Sequence, residues 1–433
     1  DAAVTAASQA FGNWSRRLAN DRAAQLRRWF DFIIAHQEDL AKLLTMEQGK
    51  PISEARTEIQ YAASFVEFYA EEARRIHGEM LPSHRHDARV LVMRQPIGVC
   101  AAITPWNFPA AMITRKCAPA LAAGCTVVLK PAPETPLTAL ALAELAQRAE
   151  LPRGVLNVVT GDAVAIGGKW CDDPRVRFLG FTGSTEVGKQ LMRQAAATVK
   201  KVALELGGNA PFIVFADADL EAAVEGAIAA KFRNMGQTCI CANRLFVHDS
   251  IHDAFVQRLA KRVGQLTVGN GLDEQTTQGP LITPEAVEKV QSLLQDAVAS
   301  GAEIVTGGRP HRLGRTFFEP TVLTQVSGAM EITRQEIFGP VAPVTRFSSE
   351  AEVIAMANDT IYGLAAYFYG RDLGQAFRVA EQLEYGMVGI NSTALGAATV
   401  PFGGVKQSGI GREGSHHGID EYLESKYVLV GGL

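Results

Sequence analysis

The hydrophobic pattern of this chain changes character near residue 98. Before it, Leu26, Trp29, Phe30, Ile33, Ile34, Leu40, Leu43 and Leu44 recur at helical spacing, and a second helix is predicted over about 54–76. A polar, hairpin-like insert with His84-Arg85-His86-Asp87 at its centre lies between Gly78 and Gly98. Beyond it, short apolar runs at 98–104, 126–129, 156–160 and 177–181 alternate with amphipathic stretches such as 136–147 and 186–195. Strands separated by helices of this length are joined by crossovers, so they build a parallel, doubly wound sheet. A second series opens at 210–215. It continues through helix 220–232, strand 245–248, helix 251–266 and further units to about 391. The predicted class is α/β with two doubly wound parallel-sheet domains. No internal repeat, low-complexity tract or long linker interrupts them.

Composition narrows the function classes. With 433 residues, 47% hydrophobic and 20% charged, the chain can fill more than one core. A net charge of −4 gives no electrostatic basis for binding nucleic acid or an anionic membrane. No apolar run approaches the roughly 20 residues of a membrane helix, and no signal peptide pattern opens the chain. The six cysteines show no regular pairing and read as reduced thiols of a cytoplasmic protein. Cys100, Cys117, Cys125 and Cys171 fall in apolar surroundings that suit packing. His416-His417 has no further ligand-type neighbours, so no metal is expected.

Four segments carry candidate chemistry. Gly236-Gln237-Thr238-Cys239 offers a thiol in a small-polar loop after a helix. Glu205-Leu206-Gly207-Gly208 offers a carboxylate at the end of an apolar strand, Val202-Ala203-Leu204. Thr104-Pro105-Trp106-Asn107-Phe108-Pro109 sets one amide between rigid neighbours, and Glu336-Ile337-Phe338-Gly339-Pro340 holds a second carboxylate in a turn. A cysteine nucleophile needs a thiolate, an anion-friendly pocket and a base for the later hydrolysis. Together with Pro401-Phe402-Gly403-Gly404, these segments resemble the aldehyde dehydrogenase superfamily over nearly the whole chain, from about residue 21 to 433. Within it, residues 98–109, 112–124, 231–244 and 401–426 are most similar to succinate-semialdehyde dehydrogenases and related acid-semialdehyde enzymes.

The resemblance implies a mechanism. Cys239 adds to an aldehyde carbonyl, and the thiohemiacetal oxyanion is held by the Asn107 side-chain amide and the Cys239 backbone N–H. Such donors contribute roughly 3–4 kcal/mol each. Hydride leaves to a nicotinamide, and Glu205 takes the proton of the water that cleaves the thioester. The implied division is a NAD(P)-binding domain at 1–77 and 97–206, a catalytic domain at 207–407, and an oligomerisation arm and tail at 78–96 and 408–433. The arm and the tail are expected to pair across subunits of a homodimer or homotetramer, covering the apolar edge Tyr427-Val428-Leu429-Val430.

The resemblance implies NADP or NAD as cofactor, with NADP favoured and dual use expected. Thr104, Pro105, Trp106, Lys130, Gly183, Ser184, Glu336 and Phe338 are the residues expected to bind it. Lys130 ends a strand, where open parallel sheets bind ligands. Gly183-Ser184 starts a helix whose N–H groups suit a pyrophosphate. Residues 183–189 nearly spell GxxxxGK, but Gln190 replaces the magnesium-binding hydroxyl, so an NTPase is the weaker reading. NAD-preferring members often carry a glutamate three residues beyond the lysine. Pro133 stands there, which removes a repulsion against a 2′-phosphate.

Substrate class turns on Arg115 and Arg233, positions that many relatives fill with aromatics. In succinate-semialdehyde enzymes this pair binds the substrate carboxylate, as an unscreened guanidinium fork would. Phe108 and Phe402 would line the apolar part of the tunnel. The chain departs from that subfamily at Gly396, where a serine usually donates a third hydrogen bond. The added room suits glutarate semialdehyde, 2-oxoglutarate semialdehyde or a sulfonated aldehyde such as sulfolactaldehyde. Other readings are a general aldehyde dehydrogenase or a non-catalytic binding protein of the same fold. Cys241 is either a packing residue or a redox partner that caps Cys239 reversibly.

Overall fold

A computed structural model describes residues 1–433. Four helices open it: Ala2–Ser15, Ala19–Ala35, Gln37–Gln48 and Ile52–Glu72. The apolar series from Leu26 to Leu44 is thus two helices, broken at His36, whose backbone (φ −110°, ψ 20°) leaves the helical region. Gly49 ends the next helix at φ 96°, a left-handed cap that glycine adopts without strain. The helix predicted to reach 76 stops at Glu72 and tightens into a 3-10 turn, Ala73–Arg75.

Two large sheets follow. In the first, the neighbours run Leu156–Val158, Thr126–Lys130, Val99–Ile103, Val176–Thr182, Lys201–Glu205 and Gly409–Ile410. All pairs are parallel except the last, where Gly409 faces Glu205. The chain builds outward from Val99–Ile103 to one side, then returns to build the other side from Val176–Thr182. The crevice between these two strands is a topological switch point, and ligands of open α/β sheets bind beyond the carboxyl ends there. Those ends lead into Thr104-Pro105-Trp106 and Gly183-Ser184.

The second sheet runs Glu303–Thr306, Thr321–Thr324, Val341–Phe347, Ala242–His248, Ala210–Val214, Ala365–Tyr369 and Met387–Ile390. It is parallel except at the Glu303–Thr306 edge. The strand predicted at 245–248 begins at Ala242, directly after the Cys239 loop. Two glycines allow the closest approaches. A Cβ on Gly188 would meet Leu206 at 2.4 Å, so helix Thr185–Ala195 lies tight on the sheet. A Cβ on Gly208 would stand 2.1 Å from the Cys239 carbonyl oxygen, so this glycine brings the Glu205 segment against the cysteine loop.

The third sheet is antiparallel and corrects the expected pairing. Leu423–Gly431 pairs with Ala88–Pro96 of the same chain, from Leu423 opposite Pro96 to Gly431 opposite Ala88. The long polar hairpin Glu79–Leu81 to Ala88–Pro96 offers a free edge within reach, so the tail closes in cis. Residues 408–433 therefore split: Gly409–Ile410 joins the first sheet, and only the last strand joins the arm.

Candidate active site

The Cys239 loop is built on unusual backbone. After helix Leu220–Phe232, Asn234 (φ 51°), Met235 (φ 58°) and Gly236 (φ 73°) are consecutive left-handed residues. Non-glycine residues hold such conformations only where the surroundings over-determine them. Here the Asn234 amide N–H donates to Glu54 Oε2 (2.9 Å), and Gln48 Nε2 donates to Asn234 Oδ1 (3.0 Å). Asn234 Nδ2 in turn donates to Asn107 O (3.1 Å) and Gln237 O (3.3 Å). Tyr367 Oη donates to Ile240 O (2.8 Å) on the far side of the loop.

Asn107 is locked to the same loop, because its Nδ2 donates to Gln237 O at 3.1 Å. Its carbonyl oxygen also accepts from Lys50 Nζ at 2.7 Å. Lys50 is fully buried, pairs with Glu58 at 2.5 Å and sits 4.0 Å from the centre of the Phe108 ring. Glu58 Oε1 accepts the Ala110 N–H (2.9 Å) at the start of helix Ala111–Ala123. Sequence reading missed Lys50, Glu58, Gln48 and Asn234. The Gly49-Lys50-Pro51 punctuation was the only signal, and it marks a helix boundary rather than a partner.

Two cavities meet at Cys239 and Met112. The first, about 290 Å³, is lined by Pro105, Trp106, Asn107, Gly183, Ser184 and Glu336 among others. Ser184 caps helix Thr185–Ala195 by accepting from Val187 N. The helix start therefore presents N–H groups and the positive dipole end to this cleft. Glu336 accepts from Gly208 N at 3.0 Å, and burial raises its carboxyl to about 7. Phe338, itself left-handed at φ 52°, packs edge-on against Trp106 with ring centres 5.5 Å apart. A cleft lined by a helix N-terminus, a buried carboxylate, two aromatics and a thiol fits a dinucleotide. Lys189, the lysine of the near-Walker pattern, lies within the helix and donates to Gln407 Oε1 at 2.5 Å. Thr104 and Lys130 stand behind the cleft. The Thr104 N–H donates to Lys130 O (3.1 Å), and Lys130 Nζ donates to Pro131 O (2.8 Å).

The second cavity, about 460 Å³, is a tunnel from Cys239 past Phe108, Phe402, Arg115 and Arg233. The expectation of two unscreened guanidiniums is corrected for one of them. Arg115 is buried and lies 2.6 Å from Glu413, with its guanidinium 4.1 Å from the Phe402 ring centre. Its Nε–H does not point along the ion pair, and Nη2 has no partner. Arg233 is exposed and lies 5.3 Å from the Phe108 ring centre.

Glu205 is buried and lines neither cavity. It belongs to a charged cluster with Glu413, Arg115 and Lys116. Burial, and then the Glu413 charge, push its carboxyl well above the usual range, and its Oε2 has no partner. Glu413 stays low: burial works against its charge, but Lys116 and Arg115 outweigh it. Burial also raises the Cys239 thiol to about 12, with Glu336 adding to the shift and Arg115 opposing it. Nothing in the sequence pointed to Glu413, which lies 297 residues from Lys116.

Cys241 is buried outside both cavities, with Lys231 Nζ 3.3 Å from its sulfur. The four remaining cysteines are buried. No group of three metal-ligating side chains is present, and no helix is long and apolar enough to cross a membrane.

Residues 1–428 match the model described as "Aldehyde dehydrogenase family". The chain is 60% identical over 431 residues to a glutarate-semialdehyde dehydrogenase of Pseudomonas aeruginosa, covering 100% of this chain and 89% of the relative. It is 58% identical over 430 residues to the NADP(+) succinate-semialdehyde dehydrogenase of Escherichia coli, covering 99% and 89%. The crystal structure of a succinate-semialdehyde dehydrogenase from Burkholderia pseudomallei superposes with a TM-score of 0.98 at 59% identity, covering 99% of this chain and 89% of that one.

Proposed function

Because the chain belongs to the aldehyde dehydrogenase family, we propose that it oxidises a small aldehyde bearing a remote anionic group, of the succinate-semialdehyde type, to the acid. It is an oxidoreductase acting on aldehydes with a nicotinamide dinucleotide. The observation that carries the substrate reading is the tunnel itself: it ends on Cys239 and holds the unpartnered Nη2 of buried Arg115 together with exposed Arg233. Apolar walls at Phe108 and Phe402 suit the methylene chain between the two ends.

In this reading the Cys239 thiol loses its proton to solvent water, and the thiolate sulfur bonds to the aldehyde carbon while the C=O π pair moves onto oxygen. The resulting oxyanion is met by the Asn107 amide and the Cys239 N–H. A nicotinamide held in the first cavity would supply the hydride acceptor. Loss of hydride from the carbon restores the carbonyl as a thioester on Cys239. Water then adds, the C–S bond breaks, and the water's proton passes to Glu205. Gly183, Ser184 and the helix they open would hold the dinucleotide's phosphates, while Glu336, Trp106 and Phe338 would hold its nicotinamide end.

Replacing either arginine with leucine is expected to lower kcat/KM for acid semialdehydes roughly ten- to hundredfold, since charge-assisted hydrogen bonds contribute about 1.5–3 kcal/mol. An uncharged aldehyde of equal length should be nearly unaffected. Arg233→Leu is the cleaner test, because Arg115→Leu also removes a partner from Glu413. A panel of C4 to C6 acid semialdehydes, sulfolactaldehyde and neutral aldehydes measures it. Equal losses on charged and neutral substrates would reduce the reading to a general aldehyde dehydrogenase.

For the coenzyme, NADP is favoured with NAD also used. Support comes from Lys130 at its strand end and from exposed Pro133 in place of a carboxylate. Lys130→Met should lower kcat/KM for NADP about tenfold and leave NAD within about twofold. Parallel losses with both coenzymes would move Lys130 to a structural role. The exposed edge strand Leu423–Gly431, with Tyr427, Leu429 and Val430 outward, supports a homo-oligomer.

A further inference from the structure

One face of the helix Ile52–Glu72 walls the tunnel. Ser53, Thr57 and Tyr61, four residues apart, line it together with Glu54 and Glu58. Tyr61 is less exposed than Ser53 and Thr57. Its ring packs edge-on against Phe65, with centres 4.9 Å apart, and Phe65 lies 5.3 Å from the Arg115 guanidinium. The ring is therefore fixed on the same aromatic shelf that seats Arg115. Tyr61 Oη has no hydrogen-bond partner in the protein; the one side-chain bond at this residue is Ser64 Oγ donating to the Tyr61 carbonyl (2.7 Å).

Gly396 lies across from that hydroxyl. A Cβ at Gly396 would stand 3.2 Å from Tyr61 Oη and 3.5 Å from Cζ, so any side chain there would crowd the phenol. The glycine leaves the hydroxyl open to the tunnel. Tyr61 and Gly396 also line a separate outer cavity of about 540 Å³, with Arg27, Ser64 and Thr399 on its wall. The pair thus stands where the tunnel and this second cavity share a wall. Burial keeps the phenol protonated, although Arg115 and Arg233 pull the other way, so it faces the tunnel as a donor.

We propose that the Tyr61 hydroxyl donates the third hydrogen bond to the substrate's remote anionic group, in the space that Gly396 leaves, and that this added space favours acid aldehydes longer than succinate semialdehyde. This rests on the acid-aldehyde reading above. Two guanidiniums supply charge, and the phenol supplies a directed neutral donor at the far end of the chain. An uncharged aldehyde gains nothing from it.

Tyr61→Phe tests this, because the ring and its contact with Phe65 are kept. The expected result is a KM for glutarate semialdehyde raised about tenfold with kcat within about twofold, a smaller rise for succinate semialdehyde, and no loss on pentanal. Gly396→Ser should shift preference toward succinate semialdehyde in the parent protein. If Tyr61→Phe leaves the glutarate semialdehyde KM unchanged while Arg233→Leu raises it, the acid reading stands and Tyr61 is only tunnel wall. If Tyr61→Phe lowers activity equally on all three aldehydes, its role is structural and the proposal is overturned. If Arg233→Leu fails to separate charged from neutral aldehydes, the acid reading falls and takes this proposal with it.

Discussion

Cys239→Ser should lose at least about a thousandfold in kcat while binding coenzyme with unchanged affinity. The thiol already starts high, at about 12, because it is buried and faces Glu336. A serine hydroxyl in the same place is a far weaker acid and yields almost no alkoxide. The substitution changes one atom in a loop held by Asn234, Gln237 and Tyr367, none of whose contacts uses the sulfur. The fold and the cleft should therefore survive. Coenzyme titration by fluorescence quenching, beside steady-state turnover, makes the comparison. Turnover near the parent level would sink the nucleophile assignment. For the parent protein, kcat/KM should rise with pH, since raised pH increases the thiolate fraction.

Glu205→Gln should separate the two halves of the reaction. If Glu205 chiefly serves the hydrolytic step, rapid mixing should show a burst of reduced coenzyme, then a steady state slowed about a hundredfold or more. A reaction slowed uniformly without a burst would move Glu205 to the acylation step. The raised carboxyl adds two signed expectations. Below its raised value Glu205 is protonated and cannot accept, so parent kcat should climb with pH, and glutamine should erase that limb. Stability runs the opposite way. The unfolded chain ionises this glutamate near the ordinary value of about 4.3, while the folded protein keeps the proton longer. Between those two values the folded state binds more protons, so the carboxyl's contribution to stability falls as pH rises. Glu205→Gln should therefore melt no lower than the parent at neutral pH, and higher if the burial cost dominates. A lower Tm would show that Glu205 is held charged by Lys116 and Arg115 instead.

The charged cluster behind Glu205 explains why the site is only partly legible from local sequence. Cys239, Asn107 and Glu336 each sit in a short segment whose glycines, prolines and small polar residues fix a turn, and a turn is a local property. The same holds for the alternation of apolar runs and amphipathic helices, which specifies two parallel sheets. Local readings failed where a non-local contact decided the outcome. The break at His36 in the apolar series from Leu26 to Leu44 is local, a backbone turn (φ −110°, ψ 20°) that the continuous apolar spacing on either side hides. The tail reads as an edge needing a partner, and only the fold shows that Ala88–Pro96 of the same chain is near enough to serve.

The sequence by itself therefore determined the fold class, the family and the reactive residue types, because strand period, turn chemistry and motif spacing are written within a few residues of each other. The tertiary structure alone decided which charges neutralise which. Lys50 reaches the carbonyl of Asn107, 57 residues away, and Glu413 reaches Arg115 and Lys116 across nearly 300. It alone also decided that Gly396 faces Tyr61. A buried ion pair or an open hydroxyl between distant segments leaves no periodic trace in a chain. Whether the attraction offsets the cost of stripping water from both partners depends on their final geometry, and that geometry exists only after the segments have packed.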